Sequence, residues 1–123
     1  MRIWLTALLL ILPAPYEAQA PSDPTGTYVC RGMDRGEPYA LDLQVQPVGE
    51  GYWLQWFLDG EPSHLGIGMF KAGRLAVALM GANCATGVVF YDWTAGTLRG
   101  SWMNAEGAQF PETCTLRTPG ASL

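Results

Sequence analysis

The sequence predicts an all-β fold: a small antiparallel up-and-down meander of about eight strands, closed or nearly closed into a barrel. Three observations predict it. From Gly26 onward, short runs rich in Tyr, Val, Leu and Trp recur between Gly, Pro or Asp residues, at roughly the 8 to 12 residue spacing of sandwiches and barrels. Several runs alternate apolar and polar residues, the signature of strands with one face on a core. The joints between them carry glycines suited to tight hairpins, so each strand pairs with its sequence neighbour.

The N-terminus reads as a signal helix over 1–20. Arg2 supplies a positive start, Ile3 to Leu12 an apolar run, and Ala18-Gln19-Ala20 a small-x-small cleavage site. An apolar run of about ten residues is half of what a membrane-spanning helix needs, so no stable span is expected after cleavage. Pro21 follows the expected cut, and proline there is a poor substrate for signal peptidase. Residues 21–25 are a proline-rich linker, expected to be extended and mobile. The barrel domain occupies 26–118 and a tail 119–123.

The strands are predicted at Gly26 to Gly32, Tyr39 to Val48, Tyr52 to Asp59, His64 to Phe70, Arg74 to Met80, Gly87 to Trp93, Thr97 to Met103 and Glu112 to Thr118. Alternation is clearest in the second, where Leu41, Leu43 and Val45 interleave with Asp42, Gln44 and Gln46. Leu54, Trp56 and Leu58 share one face of the third strand, and Leu75, Val77 and Leu79 one face of the fifth. Gly100, between Leu98 and Trp102, marks a place where a wall kinks or a bulky neighbour needs room, and Gly66 and Gly68 read the same way. An even meander buries its two edges by pairing its first strand with its last, which favours closure.

Closure would set Cys30 beside Cys114, while Cys84 competes for either partner. Three pairings are open. The cysteine left over is expected as a small buried hydrophobe.

Composition excludes several classes. The chain is 49% hydrophobic and 15% charged, with 15 glycines, which describes a globular chain rather than a disordered one. Its formal net charge is −4, and its few Arg and Lys residues are scattered among acids, so nucleic acid is not an expected partner.

The string Gly26-Thr27-Tyr28-Val29-Cys30-Arg31-Gly32 resembles the opening of a family of small exported bacterial proteins often labelled fibronectin-binding. Gly51-Tyr52-Trp53-Leu54-Gln55-Trp56, Gly87-Val88-Val89-Phe90-Tyr91 and Gly96-Thr97-Leu98-Arg99-Gly100-Ser101-Trp102 agree in order. The resemblance covers nearly all of 26–116. It implies export, a β-fold and a protein or extracellular-matrix-type partner, and it carries no catalytic residues. The last string is also similar to a strand phrase of avidins and lipocalins, small ligand-binding barrels.

Chemistry is sparse. His64 is the single histidine, which excludes zinc sites built on two, and no metal site or cofactor is expected. Ser63 beside it should point to the opposite face, as adjacent strand residues do, and so form no nucleophile and base pair. Asp34, Glu37, Asp59, Glu61, Asp92, Glu106 and Glu112 read as solvated acids of turns and loops. No catalytic residue is assigned, and the chain is read as a non-enzyme. The remaining signal is aromatic. Trp53 and Phe57 lie opposite the Leu54 face, and the sixth strand is apolar on both sides, with Val89, Tyr91 and Trp93 opposing Val88 and Phe90.

The expectation is therefore an exported binding protein of the periplasm or exterior, contacting a macromolecule through Trp53, Phe57, Tyr91 and Trp93. An inhibitor of a lytic enzyme such as lysozyme is the alternative within that class. A small glycan hydrolase using loop carboxylates is the alternative outside it.

Overall fold

The computed structural model describes residues 22–119; the expected signal segment over 1–20, and all but the first residue of the expected tail, lie outside them. Eight strands follow in chain order: β1 (Gly26–Asp34), β2 (Glu37–Val48), β3 (Gly51–Leu58), β4 (Glu61–Lys71), β5 (Arg74–Gly81), β6 (Thr86–Thr94), β7 (Thr97–Asn104) and β8 (Gln109–Pro119). Each pairs antiparallel with the next, and β8 returns to β1, so the barrel is closed.

The turns explain the short connections. Four hairpins have two-residue loops, Arg35-Gly36, Asp59-Gly60, Ala72-Gly73 and Ala95-Gly96, in which both residues have positive φ. That backbone twist matches the twist of paired strands, and glycine adopts it without steric cost. Between β5 and β6 the chain makes a short 3₁₀ turn, Ala82–Cys84. Between β7 and β8, Asn104 Oδ1 accepts from the backbone N–H groups of Glu106 and Ala108.

Closure is fixed covalently as well. Cys30 and Cys114 are register partners on β1 and β8 and form a disulfide. Cys84 stays free, and it is exposed rather than buried, a correction that follows from its place in the β5–β6 turn.

The two ends of the barrel differ. At the end holding the β2–β3, β4–β5 and β6–β7 hairpins, aromatic side chains fill the lumen. Tyr52 meets Phe70 edge-on at 6.3 Å, and Phe70 meets Trp93 at 5.9 Å. Trp93 Nε1 donates to the Tyr28 hydroxyl, which donates to the backbone oxygen of Pro24 at 2.7 Å. Burial pushes the Tyr28 hydroxyl up to about 12. Pro24 is fully buried, so this part of the 21–25 linker is packed into the fold rather than extended and free.

The inward glycines make room, as their spacing predicts. A Cβ on Gly66 would lie 2.7 Å from Val77 Cγ1 and 3.0 Å from Trp56 Cζ3. Two bulky side chains thus occupy the space a larger residue on β4 would need.

Candidate functional site

The opposite end is open. A cavity of about 600 Å³ enters the barrel there, between the β1–β2, β3–β4, β5–β6 and β7–β8 connections. Eight-stranded barrels are just wide enough to be filled by side chains or to hold one small ligand, and this lumen does both, one at each end. The walls are mainly apolar and aromatic, including Leu41, Trp56, Leu79, Val89 and Trp102, and the cavity volume falls within the range usual for small-molecule sites.

Asp34, Arg35 and Glu37 line the cavity as exposed residues, and one charged side chain in its lining is buried. Glu112 on β8 is only 5% exposed and lines the cavity. Its position follows from sheet register. Across five adjacent strands the inward row reads Tyr91, Gly100, Glu112, Gly32, Tyr39, each aligned with the next. The two glycines flank the glutamate and carry no side chain, so the tyrosines one strand further out can reach over them from both sides. A strand spacing of about 4.8 Å puts each tyrosine backbone roughly 10 Å from that of the glutamate, a span two long side chains can bridge.

The contacts bear this out. The Tyr39 hydroxyl donates to Glu112 Oε1 at 2.8 Å, and the Tyr91 hydroxyl donates to Oε2. Trp102 Nε1 donates to the Tyr39 hydroxyl at 2.9 Å, which extends the network to the cavity wall. A Cβ on Gly32 would meet Tyr39 Cζ at 2.5 Å and Pro111 O at 2.6 Å, and one on Gly100 would meet the backbone of Phe90. Both positions therefore exclude any larger residue.

Burial raises the Glu112 carboxyl above its ordinary range, and the hydrogen bonds from Tyr91 and Tyr39 oppose that shift without cancelling it. The same burial, with the glutamate charge adjacent, drives both tyrosines well above 10, so they remain donors at any physiological pH. A carboxylate has about four acceptor positions, and two are used. The capacity that remains is for accepting hydrogen bonds.

Beneath this row lies the disulfide, with Cys114 Sγ 3.7 Å from Glu112 Oε2. Cys30, Glu112 and Cys114 bring their donor atoms within 4.8 Å of one another, but the S–S bond leaves no thiolate to ligate a metal.

The sequence-predicted residues separate. Trp53 is 42% exposed on the outer wall, and Phe57 is half-buried on that same outer side. Tyr91 and Trp93 point the other way, Tyr91 onto Glu112 and Trp93 into the aromatic plug. The four do not form one face. Parity along β6 is as read from the sequence, but the Val89, Tyr91, Trp93 side is the inner one, and Val88 and Phe90 are exposed.

Two further expectations change. Glu112 is not a solvated loop acid: it is an inward residue of β8. Ser63 and His64 do meet, with Ser63 Oγ 3.0 Å from His64 Nδ1, because the β3–β4 ladder shifts register between Trp56 and Phe57 and leaves Ser63 as the extra residue. Ser63 Oγ also donates to the backbone oxygen of Trp56. With that proton committed, Nδ1 is the donor toward Ser63 and cannot act as its base. Burial lowers the His64 pKa, which favours this neutral ring.

These features define a closed eight-stranded barrel with one plugged end, one open end and a buried carboxylate held by two tyrosines. No family model matches the chain, and no curated protein matches it.

Proposed function

We propose that the chain is an exported, non-enzymatic binding protein that holds one small, largely apolar molecule in the open half of its barrel. The observation that carries this reading is the cavity of about 600 Å³ with mainly apolar walls and one buried charged side chain, Glu112, among the described residues. Apolar walls supply affinity by removing ligand surface from water, about 25 cal/mol per Å² buried, and a few converging polar groups fix orientation.

The anchor also selects. Tyr39 and Tyr91 spend their protons on Glu112, so the spare capacity is as acceptor, and the best-matched ligand presents an N–H or O–H group at its buried end. A ligand ending in an anion would meet a carboxylate with no free donor beside it. Binding through the lumen replaces the outer aromatic patch of the sequence reading, since Tyr91 and Trp93 face inward. Export is supported by the Cys30–Cys114 disulfide, a bond that persists in oxidising compartments, together with the charge, apolar run and Ala18-Gln19-Ala20 order of the first segment.

Native mass spectrometry of the protein secreted by its own host tests this. The expected result is a mass increment of a small organic molecule, lost in Leu79→Trp, which fills the cavity from β5. A bare protein mass over a range of growth conditions, with the fold intact, would count against the reading.

A further inference from the structure

The charged residues of the strand connections divide unevenly between the two ends of the barrel. Around the open end stand Asp34, Glu37, Asp59, Glu61 and Glu106 against one base, Arg35, a formal balance of 1 − 5 = −4. Arg35 itself lies beside Asp34, with Nε 3.9 Å from Oδ1. The hairpins of the plugged end carry Glu50 against Lys71 and Arg74, a balance of 2 − 1 = +1. The cavity thus opens at the acidic end of the molecule, and the charged side chain buried in its lining, Glu112, is an acid too.

We propose that the molecule held in the lumen is a cation: an apolar amine that enters as its ammonium and pairs with the Glu112 carboxylate. This rests on the reading of the open half as a ligand cavity and adds the ligand's charge to it.

The buried carboxylate lacks a counter-ion. Among the described residues no Arg, Lys or His forms an ion pair with Glu112, and its two partners, Tyr39 and Tyr91, are neutral donors. Taking a carboxylate out of water is costly unless a cation meets it, and burial already raises this carboxyl above its ordinary range. An ammonium on one of the free acceptor positions adds Coulomb attraction to the hydrogen bond that a neutral N–H or O–H would make, and the low dielectric of the lumen strengthens that attraction.

The walls suit such a ligand. Trp56 and Trp102 line the cavity, and Trp102 Nε1 reaches Glu112 through the Tyr39 hydroxyl, so one indole stands two hydrogen bonds from the carboxylate. Indole rings attract a cation within about 6 Å of their centre. Burial lowers the pKa of His64, so the histidine on the cavity wall adds no competing positive charge at neutral pH. A bare metal ion fits less well, since there is no second buried carboxylate among the described residues and Cys30 and Cys114 are joined in the disulfide. Leu41, Leu79 and Val89 call instead for an apolar body behind the charge. The acidic mouth raises the local concentration of a cation and repels an anion, whereas a neutral ligand gains nothing from it.

Isothermal titration calorimetry of the secreted protein near neutral pH, with three probes that share one ring, tests the charge directly. The probes are 1-naphthylmethylamine, a cation; 1-naphthalenemethanol, its neutral counterpart; and 1-naphthoic acid, an anion. The amine is expected to bind at least about 30-fold more tightly than the alcohol, and the acid not at all. Glu112→Gln keeps an acceptor and removes the charge, so it should bring amine and alcohol to within about 3-fold of each other. A second variant leaves the cavity lining untouched: Asp59→Asn with Glu61→Gln and Glu106→Gln should slow association of the amine at low salt by at least about 3-fold and leave that of the alcohol unchanged. Amine and alcohol binding equally, with Leu79→Trp abolishing both, would overturn the cation while the ligand cavity stands. A preference for the amine that survives in Glu112→Gln, or an amine association rate that the second variant does not change, would overturn it as well. Absence of binding by all three probes would overturn the cavity reading and this inference with it.

Discussion

Replacing Tyr39 by phenylalanine removes one oxygen from the network that holds Glu112 and changes little else in shape. Two bonds pass through that oxygen: one donated to Glu112 Oε1 at 2.8 Å and one accepted from Trp102 Nε1 at 2.9 Å. A hydrogen bond to a charged group contributes about 1.5 to 3 kcal/mol. The Trp102 indole is half-buried and can turn toward water, so its share falls at about 0.5 to 1 kcal/mol. The expected loss with Glu112 in its ionised form is thus about 2 to 4 kcal/mol. With a urea m-value of about 1.5 kcal/mol/M for a domain of this size, the unfolding midpoint falls by about 1 to 3 M. Tyr39→Phe combined with Tyr91→Phe should depart from additivity by at least about 0.5 kcal/mol, because both tyrosines serve one carboxylate. A loss below about 0.5 kcal/mol for Tyr39→Phe, or strict additivity of the pair, would refute the view that Glu112 is held as a unit.

Other consequences follow from the same contacts. Removing the disulfide through Cys30→Ser with Cys114→Ser opens a loop with a sequence separation of 84, which on chain entropy alone destabilises by about 4 to 5 kcal/mol, measurable by urea unfolding. A change under about 1 kcal/mol would mean that β1–β8 pairing holds the seam unaided. The Glu112 carboxyl is raised in the folded state, so its contribution to stability is fully present below its ordinary value of 4.5 and is lost as pH rises through the raised one. The stability of the wild type relative to Glu112→Gln should therefore decline from pH 4 upward, and a difference that grows with pH would contradict the assignment.

How much of this was legible in the sequence depends on which physical signal carried it. The strands were, because Leu41, Leu43 and Val45 announce an inner face and because glycine-bearing joints permit tight hairpins. Arg35-Gly36 was not predicted as a turn, although it has the same form as Ala72-Gly73, since arginine is not a turn signal and only the glycine marks it. Closure followed from an even number of neighbour-paired strands and is secured by the Cys30–Cys114 bond.

The site was much less legible. Glu112 is one acid among 11, and nothing local in Pro111-Glu112-Thr113 marks it as buried. The signal that could have found it is parity. A cysteine bridging β1 and β8 inside the barrel requires Glu112, two residues earlier on the same strand, to face the lumen as well. Gly32 and Gly100 would then stand beside it, leaving space for larger neighbours. That inference needs register, a long-range property, so composition and spacing do not reveal it. The inside of β6 was hidden for a related reason: with Val88 and Phe90 as apolar as Val89 and Tyr91, hydrophobicity cannot choose between faces. The choice is made by hydrogen bonding, since the Tyr91 hydroxyl finds its acceptor only in the lumen.

The central claim, a ligand cavity anchored by Glu112, is tested most directly by titrating the protein with 1-aminoanthracene, a fluorescent apolar molecule with an N–H donor. Saturable one-to-one binding is expected, with quenching of tryptophan emission from Trp56 and Trp102 at the cavity wall. Binding should be lost in Leu79→Trp and weakened about 10-fold or more in Glu112→Ala, in line with about 1.5 kcal/mol or more for a hydrogen bond to a charged group. Fluorescence that rises without saturation, or saturable binding that neither substitution alters, would place the probe outside the barrel and contradict the account.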